Sequence, residues 1–250
     1  MEKKDERHNR LIQIIRTEGM LPIRKLANIL SVSEMTIRRD LAELGSHNGF
    51  ESDADPKTDQ AGYDLLVSLQ KSYEQKSEIG KLAATLVKPD DFIIVDTGST
   101  TARMLQYLPE DHNLSILCYN TNILMELRYK MGIKLLFCGG TYHRSTEMFE
   151  SPESIQFIKR MRANKVFLSA AGVHRELGIT CAYAYEVLTK KAIIQSSLEC
   201  ILLVDSSKFD QIKPSYFCDL SDINVIVTDK GLSVEWQKHI QDKGIRLFLA

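Results

Sequence analysis

The chain has 250 residues, 44% of them hydrophobic and 26% charged, with a formal net charge of −1. That composition excludes a disordered chain and leaves room for one large domain or two unequal ones. No uncharged apolar run approaches the roughly 18 residues of a membrane span, and the charged start MEKKDERHNR leads into no apolar signal segment.

The five cysteines, Cys118, Cys138, Cys181, Cys200 and Cys218, are scattered and form no CxxC pair. This argues against a disulfide framework or a structural zinc site. A reducing cytoplasm is the expected compartment, and no metal or cofactor is expected.

Residues 1–44 read as three helices. Leu11, Ile12, Ile14 and Ile15 give an apolar stripe that ends at Gly19. Pro22 opens a second helix, Ile23–Leu30, at a position where its missing N–H costs little. Ser31-Val32-Ser33 is a polar break, and Ser33 is a good N-cap for a third helix, Glu34–Leu44, carrying Met35, Ile37, Leu41 and Leu44. Gly45 ends it. Two short helices joined by a tight turn are the build of a helix-turn-helix, whose second helix enters the DNA major groove.

The candidate DNA-contacting residues are Ser33, Glu34, Thr36, Arg38 and Arg39. An Arg paired with guanine contributes about 1–3 kcal/mol of base discrimination, whereas an Arg on a phosphate only positions the helix. Asp40 is expected to orient one of its arginine neighbours. The same spacing also fits a helical hairpin with a solvated basic face.

Residues 45–62 lack periodicity and hold Glu51, Asp53, Asp55 and Asp59 against Lys57. They read as a wing remnant and then a linker. The expected organisation is a winged helix-turn-helix at 1–50, a linker at 51–62 and an α/β domain at 63–250.

Beyond Tyr63, helix candidates alternate with short apolar runs. The helices are expected at Gln75–Leu86, Thr100–Tyr107, Thr121–Tyr129, Pro152–Met161 and Ala184–Ser197. The strands are expected at Phe92–Val95, Leu114–Cys118, Lys134–Phe137, Lys165–Ser169, Cys200–Val204, Asn224–Val227 and Ile245–Leu249. This alternation implies a mainly parallel sheet covered on both faces, with ligands bound where loops leave the carboxyl ends of strands.

Asp96-Thr97-Gly98-Ser99-Thr100-Thr101 follows one strand and opens a helix. Its hydroxyls and free N–H groups suit a phosphate, and Gly98 permits close approach. A capped turn without a ligand explains the same residues. Polar or glycine residues also follow the other strands: Asn120 and Asn122, Gly139-Gly140, Ala170 to His174, and Asp205 to Lys208. In a parallel sheet these gather on one edge, around one small polar ligand. Glu186 and Lys190 have the spacing of a surface i,i+4 pair.

The run Val32–Leu41, VSEMTIRRDL, resembles the recognition helix of the DeoR family of bacterial regulators, and Arg10 to Ile14 fits the same pattern. DTGSTT, TN, CGG and DSSKF resemble, in order, the effector domain of that family, whose fold is similar to ribose-5-phosphate isomerase and glucosamine-6-phosphate deaminase. The segment GSHNGFESDAD departs from the family's basic, glycine-containing wing.

The resemblance implies a homo-oligomeric repressor of a sugar or deoxyribonucleoside catabolic operon. Its partners would be double-stranded operator DNA and a releasing sugar phosphate, deoxyribose 5-phosphate on the closest motifs. It further implies that Ser99, Thr100 and Thr101, beside Asp96 and Gly98, hold the phosphate. Asn120, Asn122, Gly140 and Gly172 would line the sugar, and Glu186, Lys190 and Lys208 would close the site.

The competing reading is a sugar-phosphate enzyme with an accessory DNA-binding domain. Isomerisation needs a carboxylate base and a group that stabilises the enediolate. The isomerases carry acids in a DGxDE segment where this chain reads Ala171-Gly172-Val173-His174. His174 is expected to be a pocket or loop histidine. No catalytic residue is expected, and no GxSxG or HExxH motif occurs.

Overall fold

The computed structural model describes residues 4, 6–8, 10, 11, 14, 23–37, 40 and 64–250. The chain divides into two compact units, Met1–Gln60 and Ala61–Ala250. The expectations for Ile12, Ile15, Gly19, Pro22, Arg38, Arg39, Leu41, Leu44, Gly45 and the wing and linker lie outside the described residues.

In the first unit, helix α1 spans Ile23–Ile29. Leu11, Ile14, Leu26, Ala27 and Ile37 form a small buried core, with Leu30 and Val32 packed on it. The turn out of α1 places Ser31 at φ 54, in the left-handed region, and a new helix starts at Glu34. Met35 was expected on the apolar stripe but is 74% exposed. Residues two apart on a helix point to different sides, so Met35 and Ile37 cannot share one face.

The second unit is built on one seven-stranded sheet. Its strands are β1 Phe92–Val95, β2 Leu114–Cys118, β3 Ile133–Phe137, β6 Ala163–Leu168, β9 Ser197–Leu203, β11 Val225–Thr228 and β12 Arg246–Leu249. They run in the order β12-β11-β9-β6-β1-β2-β3, and every neighbouring pair is parallel. The helices of this unit supply the crossovers that parallel pairing needs, except the one from β9 to β11. These are α2 Leu65–Gln70, α3 Tyr73–Ala84, α4 Ser99–Met104, α5 Thr121–Leu127, α6 Pro152–Arg160, α7 Ala184–Gln195 and α8 Val234–Asp242.

Both faces of the sheet are buried, as the near-continuous apolar strands require. Ile93 and Val95 face one core with Ile79, Ala83 and Met104 from α3 and α4. Ile94 faces the other, with Ile158, Ile193 and Trp236 from α6, α7 and α8. The five cysteines are free and buried in these cores and the strands beside them.

The sheet reverses its winding between β1 and β6. The chain moves outward from β1 through β2 to β3, then crosses to the other side of β1. Two small additions lie outside the main sheet. One is the hairpin of β4 Thr141–His143 and β5 Met148–Glu150. The other is an antiparallel sheet of β7 Gly172–His174, β8 Gly178–Cys181 and β10 Ser215–Cys218. The segment after β6 was expected to be a loop, but Gly172 to His174 form a strand. Three residues are too few to show an alternating pattern.

Candidate functional site

The reversal leaves a crevice at the carboxyl ends of β1 and β6, the place where doubly wound sheets bind ligands. A small cleft lies there, lined by Thr97, Ser169, Ala170, Ala171, Cys181, Ala182, Glu186 and Lys190. Two of the lining residues, Ser169 and Lys190, are held by Asp96, which is completely buried after β1. Lys190 Nζ lies 2.5 Å from Asp96 Oδ2, and the same oxygen accepts from Ser169 N–H at 2.8 Å and Ser169 Oγ at 2.9 Å. The Tyr119 hydroxyl donates to Asp96 Oδ1. Burial, reinforced by that carboxylate, drives the Tyr119 phenol well above its usual pKa.

Lys190 is fully buried, so Glu186 and Lys190 are no surface pair. Lys190 spends its donors on Asp96 and on the Ser169 carbonyl at 3.2 Å, with Glu186 Oε2 3.7 Å away. Burial works against the ammonium, but Asp96 and then Glu186 outweigh it and hold the pKa above the ordinary lysine range. Glu186 also caps its own helix by accepting from Tyr183 N–H at 3.1 Å. Burial raises its pKa, opposed by Lys190. The cluster is a satisfied buried ion network, in which Lys190 is the counter-ion of Asp96.

The turn after Asp96 is buried from Ser99 to Thr101. Thr101 Oγ1 donates within the turn, with Asp96 O at 2.8 Å and Gly98 O at 3.0 Å. A Cβ on Gly98 would stand 2.5 Å from Ser169 Cβ, so in this arrangement the open side of the glycine is filled by Ser169. Ser99 Oγ meets Ser68 Oγ of α2 at 3.3 Å.

Asn120, at the end of β2, is fully buried, and neither its amide nitrogen nor its amide oxygen has a partner among the described residues. The same holds for the two amide atoms of Asn122, in the first turn of α5. Gly140 and Gly172 stand apart from the cleft lining. Side chains there would meet the Glu150 carbonyl at 2.2 Å and the Gln211 carbonyl at 2.5 Å, so backbone packing explains both glycines. Lys208 lies half-buried on the turn after β9. His174 Nδ1 accepts from Glu176 and Leu177 N–H, each at 3.2 Å, which makes it a loop histidine. Tyr119 and Ser169 were not singled out from the sequence, because each reads there as an ordinary strand-end residue.

In the first unit, Ser33 caps the helix that starts at Glu34. Its Oγ accepts from Thr36 N–H at 3.1 Å and meets Thr36 Oγ1 at 2.8 Å. Glu34 is exposed and Thr36 half-buried. Asp40 was expected to orient an adjacent arginine. Its partners among the described residues lie well before α1: Arg7 at 2.5 and 2.9 Å, and His8 at 3.1 Å. The Arg7 guanidinium holds the Asp40 carboxyl below the usual range. The pair thus ties the recognition helix to the start of the chain.

These features define a helix-turn-helix unit followed by an α/β domain with a buried polar crevice. Residues 7–49 match the family model of the DeoR-like helix-turn-helix domain. Residues 71–230 match that of the DeoR C terminal sensor domain. The chain belongs to the DeoR family of transcriptional regulators. It is 32% identical over 254 residues to the deoxyribose operon repressor of Escherichia coli (strain K12), covering 98% of each chain. It is 28% identical to the HTH-type transcriptional regulator YulB of Bacillus subtilis (strain 168), covering 97% of this chain and 95% of that one. Ribose 5-phosphate isomerase A of Methanocaldococcus jannaschii superposes with a TM-score of 0.40 at 19% identity, over 55% of this chain and 54% of that chain.

Proposed function

We propose that this regulator is a cytoplasmic repressor that binds operator DNA as a homo-oligomer and is released by a sugar phosphate. Deoxyribose 5-phosphate leads the candidates, because the similarity to the deoxyribose operon repressor runs along nearly the whole chain. Arg38, Arg39 and Thr36 would contact DNA, with Ser33 and Glu34 at the start of the same helix.

The observation that carries the effector reading is the pair of amides at the end of β2. A buried amide without a partner costs several kcal/mol in an apolar setting, on the order of 1–3 in proteins. Asn120 and Asn122 leave four such atoms, two donors and two acceptors. A polyol has hydroxyls that serve both kinds. Ser99 and Thr100 stand one strand away and suit the phosphate end.

The same geometry favours a sensor over an enzyme. Asp96 is engaged by a lysine, a tyrosine and a serine, and Glu186 by its own helix start, so among the described residues these two are not a free carboxylate pair. Among the described residues no group of three or more His, Cys, Asp or Glu is placed to hold a metal.

A thermal-shift panel tests the reading. A sugar phosphate at one hundred times its dissociation constant adds about 2.7 kcal/mol. At this size each kcal/mol moves the midpoint by roughly 2–4 °C. Deoxyribose 5-phosphate should shift the midpoint and release operator DNA at fixed salt, without being turned over. Binding that leaves operator affinity unchanged would remove the repressor reading.

A further inference from the structure

Three consecutive carbonyls at the tip of the β4–β5 hairpin each reach a different element. Ser145 O accepts from the N–H of Leu65, the first residue of α2, at 2.9 Å. Thr146 O accepts from the hydroxyl of Thr97, in the cleft lining, at 2.8 Å. Glu147 O accepts from the N–H of Thr121, the first residue of α5, at 2.9 Å. The buried Thr146 side chain also meets the Tyr185 hydroxyl of α7 at 3.2 Å. Glu147 stands at φ 53, in the left-handed region, an unfavourable setting for a residue with a side chain.

The hairpin lies across Asn120. Phe149 N–H donates to Tyr119 O at 2.7 Å, so the residues on both sides of Asn120 are bonded to it. The cleft has a volume of about 20 Å³, room for roughly one water molecule. A sugar phosphate therefore reaches the crevice only if part of its wall moves. The main sheet is packed on both faces, whereas the hairpin lies outside it and its tip is tied down by individual hydrogen bonds. Thr97 is the point of exchange. Its hydroxyl carries one proton, which goes to Thr146 O or to a ligand but not to both.

The same tip fastens α2, the first described element of the second unit. Its six residues are too few to be stable as a helix on their own. Its end is held by two buried cations. Lys76 Nζ of α3 donates to Ser68 O at 2.6 Å, and Arg103 of α4 donates to Leu69 O at 3.2 Å. Its start is held by Ser145.

We propose that Ser145, Thr146 and Glu147 are at once a lid on the crevice and a clasp on α2. A ligand that takes the Thr97 proton frees the Thr146 carbonyl, lifts the tip and loosens the helix by which the second unit follows the first in the chain. The inference rests on the sugar-phosphate reading above and supplies the route by which occupancy leaves the crevice. Coupling of this kind needs an element with two arrangements that the ligand tells apart, and the shared proton provides it.

The test is hydrogen–deuterium exchange of the full chain, read at residues 65–70 with β1 and β6 as internal standards. It is run with and without deoxyribose 5-phosphate, and binding is scored separately by thermal shift. With the sugar phosphate bound, exchange at 65–70 should be about three- to tenfold faster, the loss of one neutral hydrogen bond. Exchange in β1 and β6 should not accelerate. T97V lacks the proton and should show the faster exchange with no ligand present, whereas T97S should behave as wild type. Binding with no change at 65–70 would overturn the lid and leave the effector reading intact. Absence of binding would end the effector reading. T97V exchange equal to wild type overturns the clasp whether or not the sugar phosphate binds. Should T97V fail to fold, Y185F decides in its place, because it keeps the ring and removes the bond to Thr146.

Discussion

The Lys190 ammonium meets Asp96 Oδ2 at 2.5 Å and so joins the end of β1 to helix α7 across the point where the sheet reverses. Their positions in the chain are 94 residues apart. Removing one member of a buried ion pair strands the other and typically costs about 3–5 kcal/mol. K190M and D96N should each lose about that much in urea denaturation. The double variant should be less destabilised than the sum of the two. Strictly additive losses would mean that the pair is not coupled in this way.

The cost of burying Lys76 should appear in the alkaline range. Its folded pKa of about 8 lies below the ordinary 10.5, so the unfolded chain binds more protons between those values. Stability from this group therefore rises with pH from about 8 to about 10.5, by up to about 3 kcal/mol at 1.36 kcal/mol per unit. The difference between wild type and K76M in urea denaturation should narrow over that interval. A constant difference would show that Lys76 is not strained by burial.

Gly98 should tolerate no side chain while Ser169 stands opposite. A methyl group there falls 2.5 Å from Ser169 Cβ, and overpacking of this kind costs about 1–3 kcal/mol. G98A should be destabilised by that amount. Part of the loss should return in the S169G background, read as a coupling energy in a double-mutant cycle.

Asp40 should matter to operator binding without touching DNA. D40A removes the bidentate partner of Arg7 and should lower the stability of the first unit by about 1–3 kcal/mol. Because the Asp40 pKa is depressed, its contribution is present above the ordinary value of 3.8 and lost as pH falls through the lower folded value. D40A should thus reduce operator affinity at neutral pH, while the difference in stability between it and wild type vanishes in acid. Unchanged helicity and operator affinity in D40A would contradict this.

The parallel sheet was legible because its strands are apolar on both faces, and seven apolar runs alternated with helical patterns. The gathering of Asp96, Asn120 and Lys208 along one edge then followed from strand direction alone. Lys76 was not legible. It sits in the polar run Gln75-Lys76-Ser77, where periodicity gives no sign of a lysine turned inward. The Asp40 pairing with Arg7 spans 33 residues and is a tertiary choice that local sequence does not encode. The strands β7 and β8 were missed because three and four residues carry too little alternation to read.

The strand registers also bear on the order of assembly. Ile93 pairs with Ile116 and Val166 with Cys200, over short separations, whereas Ile94 pairs with Val166 across more than a third of the second unit. Loop closure over the longer interval carries the larger entropic cost and slows formation. The two halves of the sheet would therefore gain structure before they dock along β1 and β6. Asp96 belongs to one half, and Ser169 and Lys190 to the other. In stopped-flow refolding, recovery of ligand binding should lag behind recovery of the far-ultraviolet helix signal. On that reading a nascent chain would be blind to its effector until the half that carries β6 and α7 had left the ribosome.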